Sequence, residues 1–275
     1  MKVRLTLTIL FSAYVGYYMA DRNLSFNWSH FLIFTLAGFL VTVSSNTVNQ
    51  IYEKDSDLLM NRTQSRPLPQ EVISKKEAII FSAICLLVSM FLFIKYINLN
   101  TAILALISFV LYSFCYTPLK RIHPVAVFVG AIPGALPPML GWLAVTNSYG
   151  LEPGILFAIQ FFWQFPHFWA IAWVLDEDYK KAGIKLLPGN GKTDINTAFQ
   201  IMIYTVALIP LGFVPYILKM VSIEAVYIST FCGVLFLVQT FYLMKERTRK
   251  AALAIMFGSF IYLPIVQIGF LFYKI

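Results

Sequence analysis

An all-helical, polytopic membrane fold with about nine transmembrane helices is predicted by three properties of the sequence. Hydrophobic residues make up 59% of the 275 residues, charged residues make up only 12%, and the mean hydropathy is +0.73. Soluble domains are about 25% charged, so these values exclude an ordinary soluble protein. The apolar residues also fall into separate stretches of about 20, which is the length that crosses a bilayer as a helix.

Nine apolar stretches are candidates for membrane spans. They cover residues 4–20, 29–50, 76–96, 100–117, 124–146, 153–174, 196–218, 223–243 and 252–273. The first follows a basic start but lacks a small-residue cleavage site, so we interpret it as a span and not as a removable signal peptide. The fifth contains GAIPGALPP at 130–138, where Gly and Pro predict a break or kink that faces a cavity.

The basic residues predict the orientation of the chain. With nine spans, the N-terminus and the loops after the even-numbered spans share one side, and that side carries 17 of the 21 Lys and Arg residues. Because positive loops stay in the cytoplasm, we expect a cytoplasmic N-terminus in a cell (inner) membrane. The same rule explains the net charge of +8 without nucleic acid as a partner.

Two acidic clusters follow the second and sixth spans on the predicted cytoplasmic side. Asn49, Glu53 and Asp57 are spaced by four residues, so on a continuing helix they share one face. Asp176 and Asp178 belong to the second cluster. Carboxylates at helix ends suit Mg²⁺, which binds few carboxylates together with substrate phosphates. The alternative is a solvated helix end whose acids balance nearby bases, but two clusters on one face favour the metal site.

Four basic residues near these acids are candidates for diphosphate binding: Arg62, Arg66, Lys120 and Arg121. Arg binds phosphate oxygens through two parallel hydrogen bonds, whereas Lys acts as a point charge. Positive-inside topology alone explains Lys75, Lys76 and the basic residues at 245–250, so these have no predicted site role. GNGKT at 189–193 lacks the first Gly and the preceding strand of a phosphate-binding loop, and is rejected as one.

His167 is a further candidate, within the aromatic sequence WQFPHFWAIAW at 163–173. A histidine inside a membrane span is rare and usually faces a cavity or a partner. A flat aromatic ligand or an iron atom fits such surroundings. A hydrogen bond to a neighbouring helix fits equally well, so these residues alone leave both interpretations open.

Four longer motifs carry a resemblance to a known family. NQIYEKDSDLLMNRTQSRPLP, YTPLKRIHP, GAIPGALPPMLGW and WQFPHFWAIAWVLDEDYKKAGIKLLP occur in the order found in the intramembrane aromatic prenyltransferases. Within that superfamily, the MNRTQSRP and PHF segments are similar to the protohaem IX farnesyltransferases, or haem O synthases. The resemblance covers residues 4–190 in motif order, and the nine-span count fits the whole chain.

This resemblance implies one integral-membrane prenyltransferase domain over residues 1–275, with helices around a central cavity open to the cytoplasmic side. It implies farnesyl diphosphate and haem B as substrates, haem O as product and Mg²⁺ as cofactor. It also implies the lipid bilayer as surroundings, and haem A synthase or haem–copper oxidase assembly as partners.

The resemblance also implies roles for individual residues. Catalytic roles fall on Asn49, Glu53, Asp57, Tyr116 and Lys120. Metal ligands fall on Asn49, Glu53, Asp57, Asp176 and Asp178. Contacts with the diphosphate fall on Arg62, Arg66, Lys120 and Arg121, and His167 is implied to bind haem. Glu53 departs from the family, which usually has Asp there, and its longer side chain changes the expected metal geometry.

Two other functions stay open at this point. A prenyltransferase acting on a 4-hydroxybenzoate or naphthoate ring would share the acidic motifs, although the PHF and MNRTQSRP segments argue against it. A membrane transporter or an oxidase assembly factor is a different class. A transporter would carry charges in mid-span, whereas the acids here cluster at helix ends and favour an enzyme.

Overall fold

The computed structural model describes residues 3–20 and 26–275, with side chains from residue 5 onward. Within these ranges the chain is helical apart from its connecting loops. The β-structure that these ranges contain is a single antiparallel bridge between Val221 and Lys274, which ties the C-terminus to the loop before the last helical hairpin. The predicted all-helical fold class is confirmed.

Eleven α-helices and two π-helical segments make up the described part of the chain. The helices are α1 (Val3–Ala20), α2 (Trp28–Asp57), α3 (Lys75–Leu92), α4 (Leu99–Val110), α5 (Thr117–Leu119), α6 (Ala126–Thr146), α7 (Leu151–Val174), α8 (Asp176–Lys181), α9 (Ile195–Ile217), α10 (Ile223–Glu246) and α11 (Arg249–Phe272). The π-helical segments Phe93–Ile97 and Leu111–Tyr116 extend α3 and join α4 to α5.

Eight segments of the described chain are, by length and composition, able to cross a membrane, and they match the second to ninth predicted spans. The first predicted span corresponds to the shorter apolar helix Leu5–Ala20. Lys2, Arg22 and the side chain of Arg4, which contribute to the predicted orientation, lie outside the described residues.

The second helix is longer than the span predicted for it. The predicted span ended at residue 50, whereas α2 continues to Asp57. Its first turn is capped by Asn27, whose side-chain oxygen accepts a hydrogen bond from the backbone N–H of His30. Because the helix does not stop at the charged residues, it carries them on a rigid extension of the span.

The proline-rich helix α6 is continuous, so of the break or kink predicted at residues 130–138 the break is not formed. Pro137 and Pro138 cannot donate to the carbonyls of Pro133 and Gly134, four residues earlier. Neighbouring helices supply the missing donors. The Ser108 hydroxyl donates to the Pro133 carbonyl at 3.5 Å, and the Gln160 amide donates to the Gly134 carbonyl at 2.8 Å. In a bilayer these donors are needed because water is absent.

Helices α6 and α7 lie at the centre of the bundle. In the most apolar 18-residue stretch of each candidate span, 67% of α6 and 61% of α7 is buried, compared with 28–44% in the other candidate spans. Close packing of α1 on α6 is possible because two glycines face backbone atoms. A Cβ on Gly16 would collide with the backbone of Pro138, and a Cβ on Gly141 would collide with the backbone of Ala13 and Tyr17. Small residues at such crossings are a general feature of membrane helix pairs.

We expect Gly16→Ala to destabilise the protein, because the added methyl group must separate α1 from the Pro138 backbone. Overpacking of this kind costs about 1–3 kcal/mol. Thermal unfolding of the purified protein in detergent measures the effect. Gly154→Ala is the matched control, since a Cβ there meets nothing within 4 Å. Equal midpoints for the two variants would contradict the proposed packing constraint.

Candidate active site

The end of α2 forms a buried polar network with α5. Asn49, Glu53 and Asp57 are all buried, with 1%, 5% and 0% of their surfaces exposed. The Asn49 amide donates to Oε1 of Glu53 and to Oγ1 of Thr117, both at 3.1 Å. Lys120 forms an ion pair with the same Glu53 oxygen. The shared face predicted from the spacing of these residues is therefore confirmed, and it faces α5.

Arg66 completes the network from the loop after α2. Its Nη1 atom lies 2.6 Å from Oδ2 of Asp57 and 3.6 Å from Oε2 of Glu53. The loop is held in place because the Thr63 hydroxyl donates to the Asp57 carbonyl at 3.0 Å. Two carboxylates, Glu53 and Asp57, thus meet two cations, Arg66 and Lys120, in an environment where unpaired charges are costly.

The π-helical segment before α5 sets the positions of the facing side chains. Pro118 cannot donate to the carbonyl four residues before it, and the wider π turn ends directly ahead of it. This turn lets the Thr117 hydroxyl donate to the Tyr112 carbonyl at 2.8 Å while it accepts from Asn49. One turn later, the Lys120 ammonium lies 5.5 Å from the centre of the Tyr116 ring, within cation–π range.

Arg121 and the segment after α8 also contact this network at the end of α2, which we call the mouth of the site. Arg121 donates to the Ser56 hydroxyl at 2.7 Å, one residue before Asp57. The backbone N–H of Lys185 donates to the carbonyl of Lys120 at 2.7 Å. Together these contacts place the end of α5 between the last turn of α2 and the chain that follows the second acidic cluster.

The second acidic cluster is only partly brought to this network. Asp176 forms an i, i+4 ion pair with Lys180 at 2.6 Å on the protein surface. Tyr179, next to Asp178, lies within electrostatic range of the basic loop after α2. Burial raises the pKa of its phenol; the positive charge of Arg62 opposes this rise, the negative charge of Asp178 adds to it, and Arg66 again opposes it. The raised pKa keeps the Tyr179 phenol protonated at neutral pH.

The first acidic set fits a divalent cation by its donor chemistry. Oδ1 of Asp57 is buried and has no hydrogen-bond partner, so one carboxylate oxygen is available for a ligand. In the part of the chain that the structure describes, no three His, Cys, Asp or Glu side chains cluster closely enough to hold a metal ion. A cation here would therefore need oxygens from Asn49, from a substrate or from water besides Glu53 and Asp57, as Mg²⁺ commonly has.

His167 lies deeper in the bundle, on α7. Its Nδ1 atom is 2.7 Å from the Ser259 hydroxyl of α11. The ring stacks on Trp163 with centroids 4.6 Å apart and meets the edge of Phe260 at 4.8 Å. The hydrogen bond to a neighbouring helix that the sequence left open is therefore present, and it orients the imidazole through one of its two nitrogens.

Several residues of the site were missed by sequence reasoning. Thr117, Ser56 and Tyr179 hold or connect the predicted charged groups. All three had a local signal, because each lies inside a motif that was already singled out. Ser259 had none, since it meets His167 across 92 residues of sequence.

Comparison with known proteins adds an independent finding. A model of the UbiA prenyltransferase family matches residues 9–263. The Protoheme IX farnesyltransferase of Cytophaga hutchinsonii is 57% identical over 100% of this chain and 96% of its own length.

Two solved structures share the fold. A structure of digeranylgeranylglyceryl phosphate synthase has a TM-score of 0.83 at 23% identity, and covers 99% of this chain and 95% of its own. A UbiA homologue from Archaeoglobus fulgidus bound to GPP and Mg²⁺ has a TM-score of 0.66 at 16% identity, with 98% of each chain covered. At these identities the two structures establish the architecture alone.

We expect Lys120→Met to lower the thermal midpoint in detergent, because Glu53 keeps a buried charge with Arg66 as its remaining cation. Breaking a buried ion pair on one side costs about 3–5 kcal/mol. Adding Glu53→Gln to the same chain should recover much of this loss, since the uncompensated charge is then removed.

The matched control is Lys54→Met, which breaks a pair with Glu71 at 2.9 Å whose Glu71 side chain is 78% exposed. Exposed pairs contribute about 0–1 kcal/mol. Equal losses of stability in Lys120→Met and Lys54→Met would contradict a buried pair.

Proposed function

The chain belongs to the UbiA prenyltransferase family, and we propose that it transfers the farnesyl group of farnesyl diphosphate to a vinyl group of haem B. Water adds in the same reaction, and the products are haem O and diphosphate. The observation that carries this proposal is the identity over the full chain with a protohaem IX farnesyltransferase. The buried cluster of acids and bases at the end of α2 supports the diphosphate half of the reaction.

Lys120 and Arg66 are the groups that we expect to bind the leaving diphosphate. They now neutralise Glu53 and Asp57, so a diphosphate that takes over these cations leaves two buried carboxylates uncompensated. A divalent cation restores the balance, and Mg²⁺ held by Asn49, Glu53 and Asp57 would supply positive charge to the departing oxygens. Arg121 contacts Ser56 beside Asp57, and Arg62 precedes Arg66 by four residues in the same loop, so we assign both to the outer part of the diphosphate site.

The second acidic cluster has a smaller role in this proposal. Asp178 is next to Tyr179 in the chain, and the pKa of Tyr179 responds to the charges of both Asp178 and the basic loop, so we assign Asp178 a metal or substrate contact. Asp176 would first have to leave Lys180. Burial raises the pKa of the Tyr179 phenol, so it is protonated and can donate a hydrogen bond to a phosphate oxygen.

The organic step is an ionisation followed by two additions. The C–O bond of farnesyl diphosphate breaks, and its electron pair leaves with the diphosphate. The vinyl π electrons form a C–C bond to C1 of the farnesyl group, which leaves a cation on the vinyl carbon next to the porphyrin ring. Water adds to that carbon and loses a proton to diphosphate or solvent. The face of Tyr116, beside Lys120, is placed to stabilise the allylic cation.

His167 is the residue that we assign to haem binding. Its Nδ1 atom interacts with Ser259, which leaves Nε2 as the nitrogen that can ligate iron. A second hydrogen bond that fixes the ring is the usual arrangement for a ligating histidine. Trp163 stacks on the same ring, and Phe260 lies roughly perpendicular to it.

The chain is a multi-pass membrane protein, and we propose the following for its setting. Residues 1–275 act as one domain in the cell (inner) membrane, with the N-terminus in the cytoplasm, where a prenyl diphosphate would reach the mouth of α2. Haem O would then pass to a protein that modifies it further, such as haem A synthase, or to one that inserts it into a haem–copper oxidase.

We expect membranes containing the protein to convert haem B and farnesyl diphosphate to haem O in the presence of Mg²⁺. Mass analysis of extracted haems measures this conversion, and chelation of divalent cations should abolish it. Asp57→Asn should lower the rate by about 100-fold or more, because one buried carboxylate no longer balances the cation at the leaving group.

Glu71→Gln is the control, since this exposed acid on the same side pairs with Lys54 outside the network. An Asp57→Asn rate equal to that of Glu71→Gln would contradict the metal assignment. Transfer to a 4-hydroxybenzoate or naphthoate ring, without any transfer to haem B, would instead identify the protein as a quinone-precursor prenyltransferase.

For haem binding, we expect His167→Ala to shift the absorption spectrum of bound haem B and to weaken its binding by about tenfold or more, as the iron loses a ligand. Titration of the purified protein with haem measures both effects. The control is His30→Ala, because His30 also lies in a span but its Nδ1 atom interacts with Tyr17 near the opposite face. An unchanged spectrum in His167→Ala would refute iron ligation.

A further inference from the structure

Buried amides connect four helices below the candidate active site. The Gln267 amide on α11 donates to Oε1 of Gln160 at 3.1 Å and to the Ser12 hydroxyl of α1 at 3.2 Å. Gln160 in turn donates to the Gly134 carbonyl of α6. Gln164 lies one turn further along α7. No charged side chain takes part in these contacts, so polarity reaches the bundle centre as neutral groups.

Gln164 has a fixed orientation and one oxygen that is available. Its Nε2 atom donates to the carbonyls of Ala131 at 2.9 Å and Gln160 at 3.3 Å, so both amide hydrogens are in use. Its side-chain oxygen, Oε1, points to Gly134, where a Cβ would collide with it. The residue is only 3% exposed, and this oxygen accepts no hydrogen bond from the residues that the structure describes.

The Gln164 oxygen lies on the inner side of the Tyr116 ring of the candidate active site. The Tyr116 ring packs on Gly130, where a Cβ would come within 2.5 Å of the ring. Gly130 and Gly134 are one turn apart on α6, which is about 6 Å along the helix axis. Because Tyr116 borders Lys120, Gln164 lies on the inner side of the ring that flanks the proposed diphosphate site.

We propose that Oε1 of Gln164 accepts a hydrogen bond from the water molecule that adds to the haem vinyl carbon. This inference rests on the proposed function. After C–C bond formation, the cation on the vinyl carbon has two outcomes. A lone pair of water forms a C–O bond and the water then loses a proton, which gives the alcohol; or the adjacent CH₂ group loses a proton, which gives an alkene. Either proton leaves with diphosphate or solvent.

A buried glutamine suits this choice between addition and elimination. Its carbonyl oxygen can orient water towards the cation, and orientation of a reactant is a large part of catalytic rate enhancement. A carboxylate at the same place would be a stronger base and could remove the CH₂ proton itself. An apolar side chain would leave the water without a partner in an interior where unpaired polar groups are costly. The amide therefore favours the alcohol.

Gln164→Met tests this assignment, because methionine keeps the length of the side chain but lacks the oxygen acceptor. We expect the variant to form the C–C bond and to shift the product towards the alkene, which is lighter by one water. The ratio of alkene to alcohol, measured by mass analysis of extracted haems, should rise by about tenfold, as one hydrogen bond to the attacking water is lost. The ratio is independent of the amount of folded protein.

Gly134→Ala is a second variant that keeps the amide but displaces it from its position, and it should shift the ratio in the same direction. Gln267→Met is the control. It breaks the same amide network beside Gln160 and Ser12 but leaves the contacts of Gln164, so the product ratio should stay at the wild-type value.

Two outcomes would overturn the inference, and they are distinguishable. If wild-type membranes form no prenylated haem, the proposed function fails and this inference fails with it. If wild-type membranes form haem O, while Gln164→Met and Gly134→Ala keep the wild-type ratio, the water assignment alone fails. An equal shift in Gln267→Met would also refute it, because a general loosening of the helices would then explain the effect.

Discussion

The pairing of two buried carboxylates with two cations is the interaction on which the rest of the structure depends. Glu53 and Asp57 are inside an apolar bundle, and Lys120 and Arg66 neutralise them. A buried charge without a partner costs several kcal/mol. α2 must therefore extend beyond the membrane span, the loop after it must fold back to bring Arg66, and the fourth span must end so that Lys120 reaches Glu53.

The same pairing bears on how the proposed site would bind a highly charged substrate. In the structure the acids and bases neutralise one another. In the proposed reaction Lys120 and Arg66 would bind the diphosphate, and Glu53 and Asp57 would then need a metal ion to balance their charge. The diphosphate and the metal ion would therefore bind together. Oδ1 of Asp57 is a fully buried oxygen of this quartet without a hydrogen-bond partner, and we propose that such an exchange begins there.

The elements that depend on local spacing could be predicted from the sequence. The four-residue repeat from Asn49 to Asp57 predicted one helix face, and apolar length predicted the spans. Contacts that depend on backbone geometry could not be predicted, because that geometry has no signature in the sequence. The π turn that presents Thr117 to Asn49 is of this kind. The continuity of α6 was also missed, because Gln160, on another helix, satisfies a carbonyl that proline leaves free.

Polarity in this bundle changes in kind with depth, and the reason is energetic. Charges lie at the mouth, where water, a metal ion or a diphosphate can compensate them. Deeper in the bundle, the described polar groups around Gln160, Gln164 and Gln267 are neutral amides and hydroxyls, which backbone carbonyls can satisfy at a much lower desolvation cost. Gln164 belongs to the second class: its amide hydrogens hold it to α6 and α7, so its oxygen is the part left for chemistry. In the proposed reaction this order would separate ionisation, at the charged end of α2, from the later addition of water beside Gln164, where the described polar neighbours are neutral.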